Sequence, residues 1–98
     1  MSDTDIKART KIRLKRPSMW TVVFLNDDYT PMSFVVQVLI TVFNQTPSAA
    51  QEIMMTVHTR GVAKVGHYTR EIADQKVYET MRLAAVEQHP LCVLTERA

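Results

Sequence analysis

Apolar and polar positions fall in distinct blocks along this chain of 98 residues, and each block has its own period. Polar and charged side chains dominate residues 1 to 16. Met19-Trp20-Thr21-Val22-Val23-Phe24-Leu25 is then an unbroken run rich in β-branched and aromatic residues, bounded by Pro17 and by Asn26-Asp27-Asp28. Such a run predicts a strand covered on at least part of both faces. Thr30-Pro31 next supplies an N-cap hydroxyl and a proline for the first helical position. Val35, Val38, Leu39, Val42 and Phe43 follow at i, i+3, i+4, i+7 and i+8, the period of an amphipathic helix.

Asn44-Gln45 interrupts that period, and Thr46-Pro47 repeats the cap-and-proline device. Ala50, Ile53, Met54, Val57 and His58 mark a second helix, which Gly61 is placed to end in the left-handed conformation. Val62 to Tyr68 reads as a strand, with Gly66 inside it as a bulge or a point of close approach. Thr69 can cap a third helix with Glu71 near its positive end, and Val77, Met81, Ala84 and Ala85 give it an apolar stripe. That helix must stop before Pro90, and Leu91-Cys92-Val93-Leu94-Thr95 is a last strand. The expected fold class is α+β, a small three-stranded antiparallel sheet covered by three helices in the order β-α-α-β-α-β. Residues 17–98 form this single domain, and residues 1–16 precede it as a basic extension.

Charge changes the picture only once it is divided. The net charge of +2 hides six basic residues against two acidic ones in residues 1–16, a net +4, and six against eight in the remainder, a net −2. The extension has too little apolar surface to offset its ordering entropy, so it is expected to be disordered in isolation. A hydrophobic content of 46% is ordinary for a globular domain. No apolar run approaches the roughly 18 to 20 residues of a membrane span. The N-terminus has no apolar h-region, and the single cysteine, Cys92, cannot form an internal disulfide, so the expected setting is the cytoplasm.

Candidate chemistry gathers at the corner after the first strand. Asn26, Asp27 and Asp28 supply acceptors with no Lys or Arg close in sequence, which suits a cationic group. Asn and Asp are equally at home where a strand simply turns into a helix, because their side chains satisfy local backbone donors. His58 is open in the same way, as a packed residue on an apolar helix face or as an acceptor. His58, His67, His89 and Cys92 form no recognisable metal-ligand set, so no metal or cofactor is expected. With no nucleophile motif, no phosphate loop and only two glycines, the chain reads as a binding module and not as an enzyme. If the first strand's end meets the second helix, Met32, Val35, Met54 and Val57 can line a hole beside Asn26, Asp27 and His58. An α-amino group carrying a large apolar side chain would fit both parts.

One resemblance goes further. Arg16-Pro17-Ser18-Met19, then Leu25-Asn26-Asp27-Asp28-Tyr29-Thr30-Pro31-Met32 and Phe34-Val35-Val38-Leu39, closely resemble the ClpS family of protease adaptors. Val57-His58, Gly61, Tyr68-Thr69, Glu71, Ala73, Lys76 and His89-Pro90-Leu91 extend the likeness over residues 16 to 98. The resemblance implies an adaptor that holds the N-terminal residue of an N-degron substrate and delivers it to a Clp AAA+ unfoldase. It assigns Asn26, Asp27 and His58 to the α-amino group and Met32, Val35, Met54, Val57 and Leu91 to the side-chain pocket, with Thr30 at its edge. Leu, Phe, Tyr and Trp are the first residues it implies. Glu71 and Lys76 fall on the surface that meets the unfoldase's N-terminal domain, and neither nucleic acid nor membrane is an implied partner. Two places depart from the family pattern: Lys64-Val65-Gly66-His67 lacks a cysteine before the glycine, and Asp74-Gln75 stands where Glu-Thr is usual. From another class, the basic extension alone would suit a small nucleic-acid binder, its Lys and Arg residues contacting phosphates in a salt-dependent way.

Overall fold

The computed structural model describes residues 17–98; the expectations for residues 1–16 lie outside it. β1 (Met19–Leu25), α1 (Met32–Thr41), α2 (Pro47–Arg60), β2 (Val62–Thr69), α3 (Arg70–Val86) and β3 (Cys92–Arg97) follow in the expected order. The strands form one antiparallel sheet in the order β2-β1-β3, with β1 at its centre. Its central place accounts for four consecutive buried residues, Thr21, Val22, Val23 and Phe24. Val22 and Phe24 face the core, where they join Val38, Leu39 and Phe43 of the α1 region and Ala73 and Ala84 of α3. Thr21 and Val23 point to the other face, where Thr21 Oγ1 lies 2.8 Å from His67 Nδ1 and Val23 is flanked by Lys64 and Leu94.

Gly66 serves in both of its expected senses. Val22 pairs with Gly66 and Val23 with Lys64, leaving Val65 as the extra residue of a bulge. A Cβ on Gly66 would come within 2.9 Å of Tyr68 Oη, because that ring folds back over the glycine. At α2, Thr46 Oγ1 accepts from Ala49 N at 3.1 Å, and Gly61 ends the helix at φ 85° with its N–H on the Val57 carbonyl.

Two local readings need correction, and a third holds only in position: Thr69 stands at the N-cap of α3, but its side chain makes no cap bond. Thr30 does not cap α1, which begins at Met32 behind Pro31, and the Pro31 carbonyl accepts from Phe34 N and Val35 N. The Thr30 hydroxyl donates instead to Asp27 Oδ2 at 2.8 Å, since an ionised carboxylate is the stronger acceptor. The stripe of α3 is also rotated from Val77, Met81, Ala84 and Ala85. Ala73, Thr80 and Ala84 are buried and Val77 and Leu83 pack beside them, while Met81 and Ala85 are exposed. Small residues at 73 and 84 let the helix lie close to the sheet, and the Thr80 methyl counts as apolar there.

The Thr80 hydroxyl is the cost of that arrangement, being fully buried with no hydrogen-bond partner among the described residues. Thr80→Val keeps the shape and removes the orphaned group, so it is expected to stabilise the fold by about 1–2 kcal/mol. Urea unfolding at unchanged m-value would register the gain. A loss of stability would mean that the hydroxyl donates to the carbonyl one turn back.

Candidate functional site

The corner after β1 meets α2 because the Asn26 N–H donates to the Gly61 carbonyl at 2.9 Å. This bond ties the end of the central strand to the end of α2, one turn from His58. A connection from α3 closes the third side. Gln88 turns the chain at φ 59°, His89 N donates to the Ala84 carbonyl at 2.8 Å, and Leu91 then enters the core. The His89 ring packs edge-on to Phe34 of α1 with centroids 4.7 Å apart.

These elements enclose a cavity of about 210 Å³. All nine residues assigned to the substrate border it: Asn26, Asp27 and His58, together with Thr30, Met32, Val35, Met54, Val57 and Leu91. Val35, Met54, Val57 and Leu91 are buried and form its apolar depth, whereas Met32 is 43% exposed and stands at the mouth. Asn26 and His58 are exposed on the rim. His58 is therefore not a packed core residue, which the sequence left open. Leu25 and Asp28 also border the cavity without having been assigned to the substrate; Asp28 belongs to the polar triplet of the candidate corner, and Leu25 reads simply as the strand's last residue.

Asp27 is the most constrained member. Its Oδ1 accepts from Tyr29 N at 2.8 Å and Thr30 N at 2.7 Å, and its Oδ2 accepts from the Thr30 hydroxyl at 2.8 Å. Partial burial, the largest single influence, works to raise its pKa. The bonds from Thr30 and Tyr29, with a smaller contribution from His89, outweigh burial and hold the carboxyl below its ordinary value. Both readings of this residue thus coexist: the side chain fixes the turn, and it remains an anion with about one acceptor position left over. Among the described residues no Lys or Arg pairs with Asp27 or Asp28. Uncompensated negative charge above an apolar depth is complementary to a cation attached to an apolar group.

Glu71 and Lys76 lie elsewhere and differ from each other. Glu71 is exposed on the first turn of α3, at the end of the sheet remote from the cavity. Lys76 is half-buried, and its Nζ donates to the Val42 carbonyl at 2.8 Å, at the end of α1. The same ammonium lies 5.6 Å from the Phe43 ring centroid and 5.5 Å from that of Tyr68. Its charge is used to join α3 to α1.

A small α+β domain with an acceptor-rimmed apolar pocket at one end of its sheet has the build of a binding module. Comparison with known proteins gives that module a family. The family model for ATP-dependent Clp protease adaptor protein ClpS matches residues 15–94. An ATP-dependent Clp protease adapter protein ClpS of Roseobacter denitrificans is 48% identical over 95 residues, covering 97% of this chain and 84% of that protein. The corresponding protein of Ruegeria pomeroyi is 47% identical over 96 residues, covering 98% and 85%. The solved structure of Agrobacterium tumefaciens ClpS2 bound to L-phenylalaninamide superposes with a TM-score of 0.82 at 40% identity, covering 85% of this chain and 100% of that one. The chain belongs to the ClpS family of Clp protease adaptors.

Proposed function

We propose that this protein holds the first residue of a substrate protein in the cavity at the end of β1 and presents that substrate to a Clp AAA+ unfoldase. The observation that carries the reading is the placement of Asn26, Asp27 and His58 around the mouth of a pocket whose depth is apolar. A free α-amino group is a cation with three donors, and the rim supplies a carboxylate, an amide oxygen and an imidazole nitrogen as acceptors. The side chain next to it enters among Val35, Met54, Val57 and Leu91, which favours Leu, Phe, Tyr and Trp. L-Phenylalaninamide, the molecule bound to the Agrobacterium relative, has both features: a free α-amino group and an aromatic side chain.

Binding and presentation need no bond to be made or broken, so the protein acts without enzymatic activity or cofactor. Its partners are proteins: N-degron substrates at the pocket and the unfoldase's N-terminal domain at the face that carries Glu71. Lys76 supports that face from within. The cytoplasm, where such machines work on new N-termini, is its place. No helix among the described residues is long and apolar enough to cross a membrane.

Titration with short peptides that differ only in their first residue tests the reading. Peptides beginning with Phe or Leu are expected to bind, and acetylating their N-terminus should weaken them by about tenfold or more. Acetylation removes the charge and two of the three donors, and a hydrogen bond to a charged group is worth about 1.5–3 kcal/mol. Equal affinity for blocked and free peptides would overturn the assignment of Asn26, Asp27 and His58.

A further inference from the structure

At the opposite end of the sheet lies a second and larger cavity, of about 440 Å³. Ser18, Trp20, Thr69, Arg70, Glu71 and Arg97 wall it. Two of these carry guanidinium groups, and among the described residues neither is strongly committed. Arg70 lies over the Trp20 ring, its Cζ 4.8 Å from the centroid. Its Nε is 3.7 Å from Asp74 Oδ2, but both side chains are more than half exposed, and such surface pairs contribute little. Arg97 Nη2 donates to Ser18 Oγ at 2.9 Å, a neutral partner, and among the described residues Arg97 has no ion pair.

A guanidinium offers five donors in a planar fork that matches a carboxylate. The Ser18 and Thr69 hydroxyls line the same wall and can complete the coordination of a second oxygen. Trp20, half-buried beneath Arg70, supplies an apolar floor for the carbons that carry such a group. Glu71 is part of this wall, so a surface that covers Glu71 covers the cavity as well.

We propose that this cavity is a docking site for a carboxylate-bearing segment of the protein partner that meets Glu71, with Arg97 and Arg70 receiving the acid. The inference rests on the reading of Glu71 given under the proposed function and adds to it the sign of the partner's charges. The partner presents a cation to Glu71 and an anion to Arg97, and the pairing of opposite signs fixes its register on the surface. A loose nucleic-acid strand suits the cavity less well, because Glu71 faces it and the body of the protein is net acidic.

The test measures two affinities for the full-length protein, one for a Phe-first peptide and one for the isolated N-terminal domain of a Clp AAA+ unfoldase. Arg97→Glu is expected to weaken the domain by about tenfold or more and to make its binding less sensitive to salt, while the peptide binds as before. Arg97→Gln should fall between, and Glu71→Lys should also weaken the domain. If Glu71→Lys loses the domain while Arg97→Glu and Arg70→Glu bind it like wild type, the cavity plays no part and the inference fails with the proposed function intact. If the wild-type protein does not bind the domain at all, the reading of Glu71 fails and the inference with it. Should Arg97→Glu lose the peptide too, its effect belongs to the fold; Arg97→Gln and Arg70→Glu then decide on the same two affinities.

Discussion

Asp27→Ala is expected to cost the protein about hundredfold in affinity for peptides with a free N-terminus and about 1–2 kcal/mol in stability. The two losses have different sources. Affinity falls because the substitution removes the rim's best-placed anion, and a charge-assisted bond to an ammonium is worth about 1.5–3 kcal/mol. Stability falls because Tyr29 N, Thr30 N and the Thr30 hydroxyl lose their shared acceptor, and water reaches these half-exposed groups in part. Asp27→Asn separates the two. Its amide oxygen can still accept from both backbone N–H groups, so the turn should survive while the charge is gone. Peptide titration and urea unfolding of the pair should therefore show Asn near wild type in stability but near Ala in affinity. Two variants equal to wild type in affinity would remove Asp27 from the site.

The pH dependence of this stabilisation has a definite sign. The Asp27 carboxyl is held below the ordinary carboxylate value in the folded protein, by the bonds it accepts from Thr30 and Tyr29. Its contribution is thus complete above the unfolded value, roughly pH 4, and is lost only as the pH falls through the lowered folded value. Between about pH 5 and 8 the stability difference between wild type and Asp27→Ala should be flat, and it should shrink on further acidification.

Phe24→Ala should be the most damaging single change to the fold, at about 3–5 kcal/mol. The ring is fully buried on the central strand and meets Phe43 edge-on, with centroids 5.4 Å apart. Phe43 in turn lies 6.4 Å from Tyr68, and the Lys76 ammonium sits against both of those rings. Emptying the Phe24 position therefore unseats the end of α1 as well as the sheet. Native domains keep about 5–15 kcal/mol in all, so the variant should melt more than about 15 °C below wild type. A drop of only a few degrees would show that the sheet end near the pocket carries less of the stability than its burial implies.

Signals that act within a few residues were legible in the sequence. Thr46-Pro47 and Gly61 bound α2 as read, because a cap hydroxyl, a proline and a left-handed glycine each need only their immediate neighbours. The same Thr-Pro pair at 30–31 misled, since three residues earlier Asp27 offers the Thr30 hydroxyl a stronger acceptor than the helix does. The stripe of α3 departs from its apolar positions because the buried face includes a threonine, Thr80, which apolar spacing alone does not mark. Of the pocket, the Asn26-Asp27-Asp28 corner and the face of Met54, Val57 and His58 could be seen, and the motif likeness added Leu91 from the chain's other end. The inward turn of Lys76 could not be seen, because it depends on α3 passing beside the Val42 carbonyl, 34 residues away in sequence.

β1 also works as a strut with a mechanical sense. Its seven residues span about 20 Å, with the pocket at the Leu25 end and the chain before Pro17 leaving from the Met19 end. A pull applied at Met19 and opposed at Leu25 runs along the strand axis. Ladder bonds lie perpendicular to that axis, and from Trp20 to Leu25 β1 is paired on both sides. Both ladders are then loaded in shear at once, so their bonds must yield together and cannot peel away one at a time. A force applied at the Met19 end and opposed at the Leu25 end therefore meets the domain in its stiffest direction.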